Sequence, residues 1–545
     1  MRELPQVDMS QSIPKSGSEF SDLKDKGKGK EKEEGHKKSG SKTLDSPHKK
    51  SPSKAAATGS AGETSAQGEA VAAAAAAADA PAPVPVERKN TVFVNKAEVK
   101  VYLNEGSINC EASGLPQSKP FPLATSEVVN AKLEERTIGV DRFHTVHVSY
   151  LDRVRPQKTV VAIASVDFTH PEPAEEFRKS VVEAAKEISQ TALTNITVVI
   201  NPLSGKQKAQ SIYDKYVGPV LAVAGVKVTR KVVTSPGSVR KIAEEIDVAT
   251  TKAIICISGD GTVHDLLNGL MKRKDWQDAT KIPVGVIPAG QSNALAVSLR
   301  GPDKAFDAAV VTMEFLRNKT SQLDVLSVTK GDEVRYSVGG LHFGFVDDVP
   351  SRWLQNISFK IKSIFSKPKF LDQQVKLSLL TVADDKAKIK QGADTTAALE
   401  APSGDDPLAR QLPGLDKDVP SEWKVIENAA GVFSSKLPWG QKGYALTPYA
   451  SPTDGTIDVC VVNGGTAKPA SAAILAQAAT GTHIDAQAIQ YFKVQGLRIE
   501  PKGQTPVYVD GENLGTGPIQ VELHRKIFTT FFVEKRYVVR VDQDS

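Results

Sequence analysis

Cysteine is scarce: Cys110, Cys256 and Cys460 are spread over 545 residues. Three residues that far apart make neither a disulfide framework nor a zinc site, and Cys256 sits inside an apolar strand-like run, which fits a reducing compartment. Long apolar runs are missing too; none approaches the ~20 residues that cross a bilayer as a helix. The N-terminus, Met1-Arg2-Glu3-Leu4-Pro5, has neither a secretory apolar core nor a myristoylation glycine, so a cytoplasmic protein is expected. Charge of one sign is also lacking. Lys and Arg number 69 against 64 Asp and Glu, a formal net charge of +5, and so mild an excess gives no ground for nucleic-acid binding.

What is present divides the chain. Residues 1–90 are rich in Lys, Ser, Gly and Ala, with Lys26-Gly-Lys-Gly-Lys30, the tract Ala72–Ala78 and Pro81-Ala-Pro-Val-Pro85. Such a segment buries too little apolar surface to offset its ordering entropy and is expected to be disordered. Its lysines either attract an anionic membrane or form a solvated extension. In 91–190 the alternating runs Val92–Val94, Lys100–Tyr102, His144–Val148 and Val160–Ala164 precede an amphipathic helix, Pro171–Ile188, which predicts a small β-rich domain closed by a helix. Its His144 and His147 are read as ordinary strand residues.

Across 191–322 strands alternate with helices, the pattern of a parallel sheet. Four strand-like runs, Ile196–Ile200, Val228–Thr234, Ala253–Ile257 and Val284–Ile287, each end in a loop of small and polar residues. These loops are Asn201-Pro202-Leu203-Ser204-Gly205-Lys206, Thr234-Ser235-Pro236-Gly237-Ser238, Ser258-Gly259-Asp260-Gly261 and Pro288-Ala289-Gly290-Gln291-Ser292-Asn293. In open α/β sheets the carboxyl ends of the strands form the binding crevice. One such loop is ordinary turn chemistry; four in succession point to a phosphate-bearing ligand. From 323 to 540 the period falls to two, which predicts an antiparallel sheet or sandwich, with a flexible insertion at 383–419.

Two stretches carry chemistry. In Ser258–Leu270 a glycine turn opens a helix with Val263, Leu266, Leu267 and Leu270 on its apolar face, and one carboxylate, Asp260, stands between Gly259 and Gly261. An acid in an anion cradle serves no purpose in binding phosphate alone, so it handles the proton of a hydroxyl or a metal. Near the end, Asp510-Gly511-Glu512 places two acids at a turn, which a plain hairpin tip explains equally well.

The order of Ser258-Gly-Asp-Gly, Asn268-Gly-Leu-Met, Asp275-Trp276, Ile287-Pro-Ala-Gly and Asn293-Ala-Leu-Ala-Val-Ser-Leu299 resembles the sphingosine (long-chain base) kinases, within the diacylglycerol-kinase-like lipid kinases. The resemblance extends through Asn201-Pro202, Gly344–Asp348, Arg352-Trp-Leu354, Gly481–Asp485, Leu497–Pro501 and Asp510-Gly-Glu512. It implies a Rossmann-like, phosphofructokinase-like nucleotide lobe followed by an antiparallel β-sandwich lobe. ATP with Mg²⁺ would lie between the lobes, and the γ-phosphate would pass to the primary hydroxyl of a sphingoid base at a peripheral, anionic membrane contact. Asp260 becomes the acid that takes the hydroxyl proton, with Ser258, Gly259 and Gly261 beside the reacting group. Asn201, Pro202, Leu203, Thr234, Ser235, Pro236, Gly237, Ser238, Asp265, Gly290, Gln291, Ser292, Arg352, Asp510, Gly511 and Glu512 would hold the nucleotide and its magnesium. Asp265 replaces the family's usual glutamate. Pro350 stands where an acid commonly meets the substrate amine, which passes that task to Asp347 or Asp348. An inactive lipid-sensing pseudokinase and a kinase of ceramide or diacylglycerol are the readings left open.

Overall fold

The computed structural model describes residues 99–104, 106–112, 122–138, 141–185, 193–344, 375–390, 407–408, 412–440, 444–466 and 468–531, all in one unit, Asp79–Ser545. The Lys-rich tail and the expected contacts Asp347, Asp348 and Arg352 lie outside the described residues. No helix among those described is long and apolar enough to cross a membrane.

Strands β1 Val99–Asn104, β2 Ser107–Ala112 and β3 Leu123–Ala124 form one antiparallel sheet, and β4 Val128–Ile138, β5 Asp141–Arg155 and β6 Lys158–Phe168 a second. Helix α1, Pro171–Ala184, closes them. Pro171 takes its first turn, where a missing N–H costs nothing, and Ala174, Phe177 and Val181 bury one face against Ile108, Val146, Val148 and Ala164. His147 belongs to a cross-strand ladder on the sheet face, its ring bonded to Ser165 on β6 and Glu134 on β4.

The face that carries His147, opposite α1, is partly covered by the next domain. Val129, Leu151 and Val161 join one buried cluster with Ile196, Val198, Ile200, Val217 and Phe315 of the next domain. Thr159 donates to the Asp307 carboxylate at 2.6 Å, and Asn130 donates to the Val223 carbonyl at 2.8 Å. The small domain is therefore welded to its neighbour by core-like packing.

That neighbour contains β7 Asn195–Ile200, helices α2 Ala209–Ile212 and α3 Gly218–Val223 with a π-helical turn Tyr213–Val217 between them, β8 Lys227–Val232, α4 Ser238–Glu245, β9 Ala253–Ser258, α5 Asp260–Met271, α6 Trp276–Ala279, β10 Val284–Pro288, α7 Ala294–Arg300 and α8 Ala308–Leu316. The strands are parallel in the order β8-β7-β9-β10. β9 is buried at every position, as a strand covered by helices on both faces must be. Every one of the four loops singled out in the sequence leaves the carboxyl end of one of these strands.

A second lobe follows, with β11 Ser321–Lys330, β12 Glu333–Ser337, β13 Gly340–Phe343, β14 Val375–Ala383, α9 Lys386–Lys390, β15 Lys424–Ser435, β16 Ile457–Asn463, α10 Lys468–Gln477, β17 Ile489–Pro501, β18 Val507–Val509, β19 Glu512–Asn513 and β20 Ile519–Thr530. It is an antiparallel sandwich. The long strands β15 and β17 serve both layers, each pairing with β14 along one half and β16 along the other, around a core of Leu326, Phe343, Leu377, Val459, Phe492 and Leu497. Its sheet continues into the parallel one where β20 meets β10 at Val284 and Thr530. Within 383–419, helix α9 buries Ile389, and Leu412 is buried as well.

Because Leu151 is buried between the small domain and the α/β lobe, Leu151→Ala should destabilise the catalytic unit by about 2–4 kcal/mol. Denaturant unfolding followed through the α/β lobe checks this. A change below about 0.5 kcal/mol, the size typical of surface substitutions, would mean the small domain is only tethered.

Candidate active site

The turn after β9 and the turn after β10 touch backbone to backbone. A Cβ built on Gly290 would lie 2.4 Å from the Gly259 Cα, and one built on Gly259 would lie 3.0 Å from the Gly290 Cα. No side chain fits at Gly290, and at Gly259 one would be crowded, which is why these loops use glycine there. Asn293 sets the second turn. In the left-handed region at φ 57°, it accepts the Gly290 N–H at 2.9 Å and donates to the Gly290 carbonyl at 3.0 Å. Gln291 is exposed, so the shape of the turn rests on its first and last residues.

Asp260 begins α5 and reaches across to α7. Its Oδ2 accepts the Ala294 N–H at 2.9 Å and its Oδ1 the Leu295 N–H at 3.0 Å. Burial lifts its pKa above the usual carboxylate range; the Leu295 and Ala294 amides pull the other way, and the Asp510 charge adds to the rise. Desolvation of the charged form wins. Ser258 is fully buried, and its hydroxyl donates to the Gly259 carbonyl. Space beside Gly261 is open: a Cβ there meets nothing within 4 Å.

Around this centre, Asn201 donates to the Thr262 hydroxyl at 2.8 Å and accepts the Leu203 N–H at 3.0 Å, tying the first loop to the first turn of α5. Pro202 and Leu203 follow, Leu203 exposed. Thr234–Gly237 is an exposed loop in which Ser238 donates to the Ser235 carbonyl and Gly237 caps α4 at φ 80°. Asp265 is not open: Arg240 on α4 binds it at 2.7 Å. Arg240 also comes within 3.9 Å of Glu512, and Arg335 on β12 within 3.7 Å.

Asp510 and Gly511 make the turn between β18 and β19 with φ of 48° and 86°, both positive as a type I′ hairpin requires. Both Asp510 oxygens are engaged by the protein. Oδ1 accepts from the Ser337 hydroxyl at 2.9 Å and the Gly340 N–H at 3.1 Å, and Oδ2 faces His264 Nδ1 at 2.9 Å. Glu512 is the more exposed acid of the pair. Burial alone would lower the His264 pKa; the Asp510 hydrogen bond and the Asp510, Glu512 and Asp265 charges outweigh it and raise the value.

The structure thus gathers Asp260, Gly259, Gly261, Asn201, Asp265, Gly290 and the Asp510–Glu512 turn around α5. Sequence reasoning missed His264, Asn293, Arg240 and Arg335. Asn293 and His264 stood inside quoted motifs; the arginines lie on other elements and carry no local signal. Among the described residues, no three His, Cys, Asp or Glu side chains converge as a metal site.

A family model, the diacylglycerol kinase catalytic domain, matches residues 195–328, and a second, the YegS C-terminal NAD kinase beta sandwich-like domain, matches 425–531. The first match spans the parallel lobe and all four loops. These matches make the chain a lipid kinase with a diacylglycerol kinase catalytic domain. This lipid kinase is 27% identical over 363 residues to sphingosine kinase 1 of Arabidopsis thaliana, covering 64% of this chain and 73% of that one. It is 26% identical over 409 residues to sphingoid long chain base kinase 4 of Schizosaccharomyces pombe, covering 71% and 84%. A shorter match, 32% over 201 residues, joins 35% of the kinase to 46% of the mitochondrial acylglycerol kinase of Xenopus laevis. As a member of a kinase family it uses ATP.

Two glycine substitutions separate fold from chemistry. Gly290→Ala forces a Cβ into the Gly259 backbone and should lower thermal stability as well as activity. Gly261→Ala has room, so it should melt close to wild type, while losing phosphoryl transfer. Scanning calorimetry beside an activity assay checks both, and equal melting of the two variants would contradict the close approach.

Proposed function

We propose that this lipid kinase transfers the γ-phosphate of ATP to the primary hydroxyl of a sphingoid long-chain base. The observation that carries the chemistry is Asp260, held by the amides of α7 next to the open space at Gly261. Asp260 takes the hydroxyl proton as the alkoxide oxygen bonds to the γ-phosphorus and the bond to the β-phosphate oxygen breaks, leaving ADP, the 1-phosphate and one released proton. A base whose pKa is lifted by burial is, once deprotonated, a stronger proton acceptor. The glycine backbones of the two abutting turns let phosphate approach closely, and Asn201–Leu203 and Thr234–Ser238 border the same crevice.

Mg²⁺ bound with the nucleotide would neutralise phosphate charge. Such an ion takes one or two carboxylates plus phosphate oxygens and water. Glu512, half-exposed beside Arg240 and Arg335, is the acid that would hold it in this reading. Asp347 or Asp348 is assigned to the substrate amine, and Arg352 to the nucleotide, on the resemblance alone. In domain terms the tail 1–90 precedes a β-rich domain at 91–190, a catalytic lobe at 191–322 and a sandwich lobe at 323–540. The sphingoid substrate is favoured by the relatives that match across most of the chain; the acylglycerol kinase match is confined to about a third of it.

Radiolabelled ATP with a panel of sphinganine, phytosphingosine, sphingosine, ceramide, diacylglycerol and monoacylglycerol tests the reading. Sphingoid bases should be preferred by at least tenfold in kcat/KM, and Asp260→Asn should lose about 10²–10⁴ in rate. Asparagine also sets an NH₂ against one of the two α7 amides, so a modest loss of stability should accompany it. Running the panel on anionic vesicles with and without residues 1–88 tests whether the lysine-rich tail adds membrane affinity that fades in salt. Preferred labelling of a glycerolipid would move the substrate assignment to the acylglycerol relatives, and no labelling of any lipid would favour a pseudokinase.

A further inference from the structure

Asp260, His264 and Asn268 recur at four-residue spacing and so share one face of α5. On a helix packed against a sandwich, such positions are ordinarily apolar. Here His264 and Asn268 are 1% and 6% exposed, and each meets groups of the other lobe. Burying an imidazole and an amide costs free energy unless their partners are supplied, and here they are. His264 Nδ1 donates to Asp510 Oδ2 at 2.9 Å. Asn268 accepts the Tyr336 N–H at 2.9 Å and donates to the Tyr336 carbonyl at 2.8 Å, pairing with β12 as a neighbouring strand would. Its second amide hydrogen serves the His264 carbonyl at 2.8 Å. From the far side, Ser337 and Gly340 hold the other Asp510 oxygen. A single carboxylate is thus gripped by α5 on one side and by the strand ends at Ser337 and Gly340 on the other.

We propose that His264 and Asn268 are positioning residues that latch the sandwich lobe to α5, fixing the Asp510–Glu512 turn, and so the nucleotide, relative to Asp260. Neither touches a reacting atom. The latch fixes Glu512 because Glu512 follows a two-residue turn that leaves it no independent backbone freedom. This deepens the kinase reading above and rests on it. It also accounts for polar residues inside an otherwise apolar helix interface, where Leu would pack without any desolvation cost.

The variants are His264→Leu, His264→Gln, Asn268→Leu, Ser337→Ala and the double variant His264→Gln/Ser337→Ala. Each is assayed for kcat and for KM toward Mg-ATP and lipid, with Mg-ATP binding followed by calorimetry and melting measured alongside. His264→Leu leaves a buried acceptor unpaired and should lower kcat/KM for Mg-ATP about tenfold, with the lipid KM within about twofold. His264→Gln, which can still donate, should recover most of that loss. His264 and Ser337 act through the same carboxylate, so their losses in Mg-ATP binding should be non-additive. Additive losses, or losses shared equally by both substrates in step with melting temperature, would overturn the latch and leave a structural role only. If His264→Leu and Asn268→Leu do not fold, the milder Gln and Ala cycle decides. Wild-type chain that binds Mg-ATP but phosphorylates no sphingoid base sinks the substrate reading while leaving this cycle readable.

Discussion

The Asp260 carboxylate, bonded through both oxygens to the first amides of α7, is the tie on which the rest of the cleft depends. It joins the two loops that leave adjacent strands β9 and β10, and those loops can approach only because Gly259 and Gly290 offer no side chains to each other. The sandwich lobe contacts both ends of this tie. It reaches α5 through His264 and Asn268, and α7 through Ser298, which exchanges hydrogen bonds with the backbone of Trp439. The strand end before Trp439 is itself anchored by Lys436, fully buried between Asp324 and Asp454.

Two opposing effects set the character of Asp260. Removing a carboxylate from water costs several kcal/mol, while each charge-assisted amide bond returns about 1.5–3 kcal/mol. These are of similar size, so the balance is close, and here desolvation prevails and the pKa rises. That outcome suits a group that must accept a proton and not merely carry charge. The same accounting shows why the acids around it are paired: Asp265 with Arg240, Glu512 facing two arginines, Asp510 with His264.

Much of this was legible in the sequence, for specific reasons. The central parallel strands are apolar runs such as Ala253–Ile257, which admit little besides a buried strand, and the glycines of the turns announce close backbone approach. Local patterning could not show which side chains meet across the chain. Arg240 reaches Asp265 and Glu512 from a helix whose sequence looks like any solvated surface. His264, read alone, is a histidine in an apolar helix, and its partner lies 246 residues away. The weld between the small domain and the α/β lobe was hidden for a similar reason: Val129, Leu151 and Val161 follow strand alternation whether their second face meets solvent or another domain. The π-helical turn at Tyr213–Val217 leaves no mark in the spacing of apolar residues.

The central claim is that Asp260 is the base and that burial has lifted its pKa. The most direct measurement is kcat for phosphoryl transfer to sphinganine as a function of pH at saturating Mg-ATP in wild type, with circular dichroism over the same range as the control for the pH tolerance of the fold. A base acts only when deprotonated, so kcat should fall as pH drops through the pKa of Asp260, with the acid limb above the value of about 3.9 typical of a free aspartate. A rate that stays flat down to that ordinary carboxylate value, in protein that remains folded, would contradict the account.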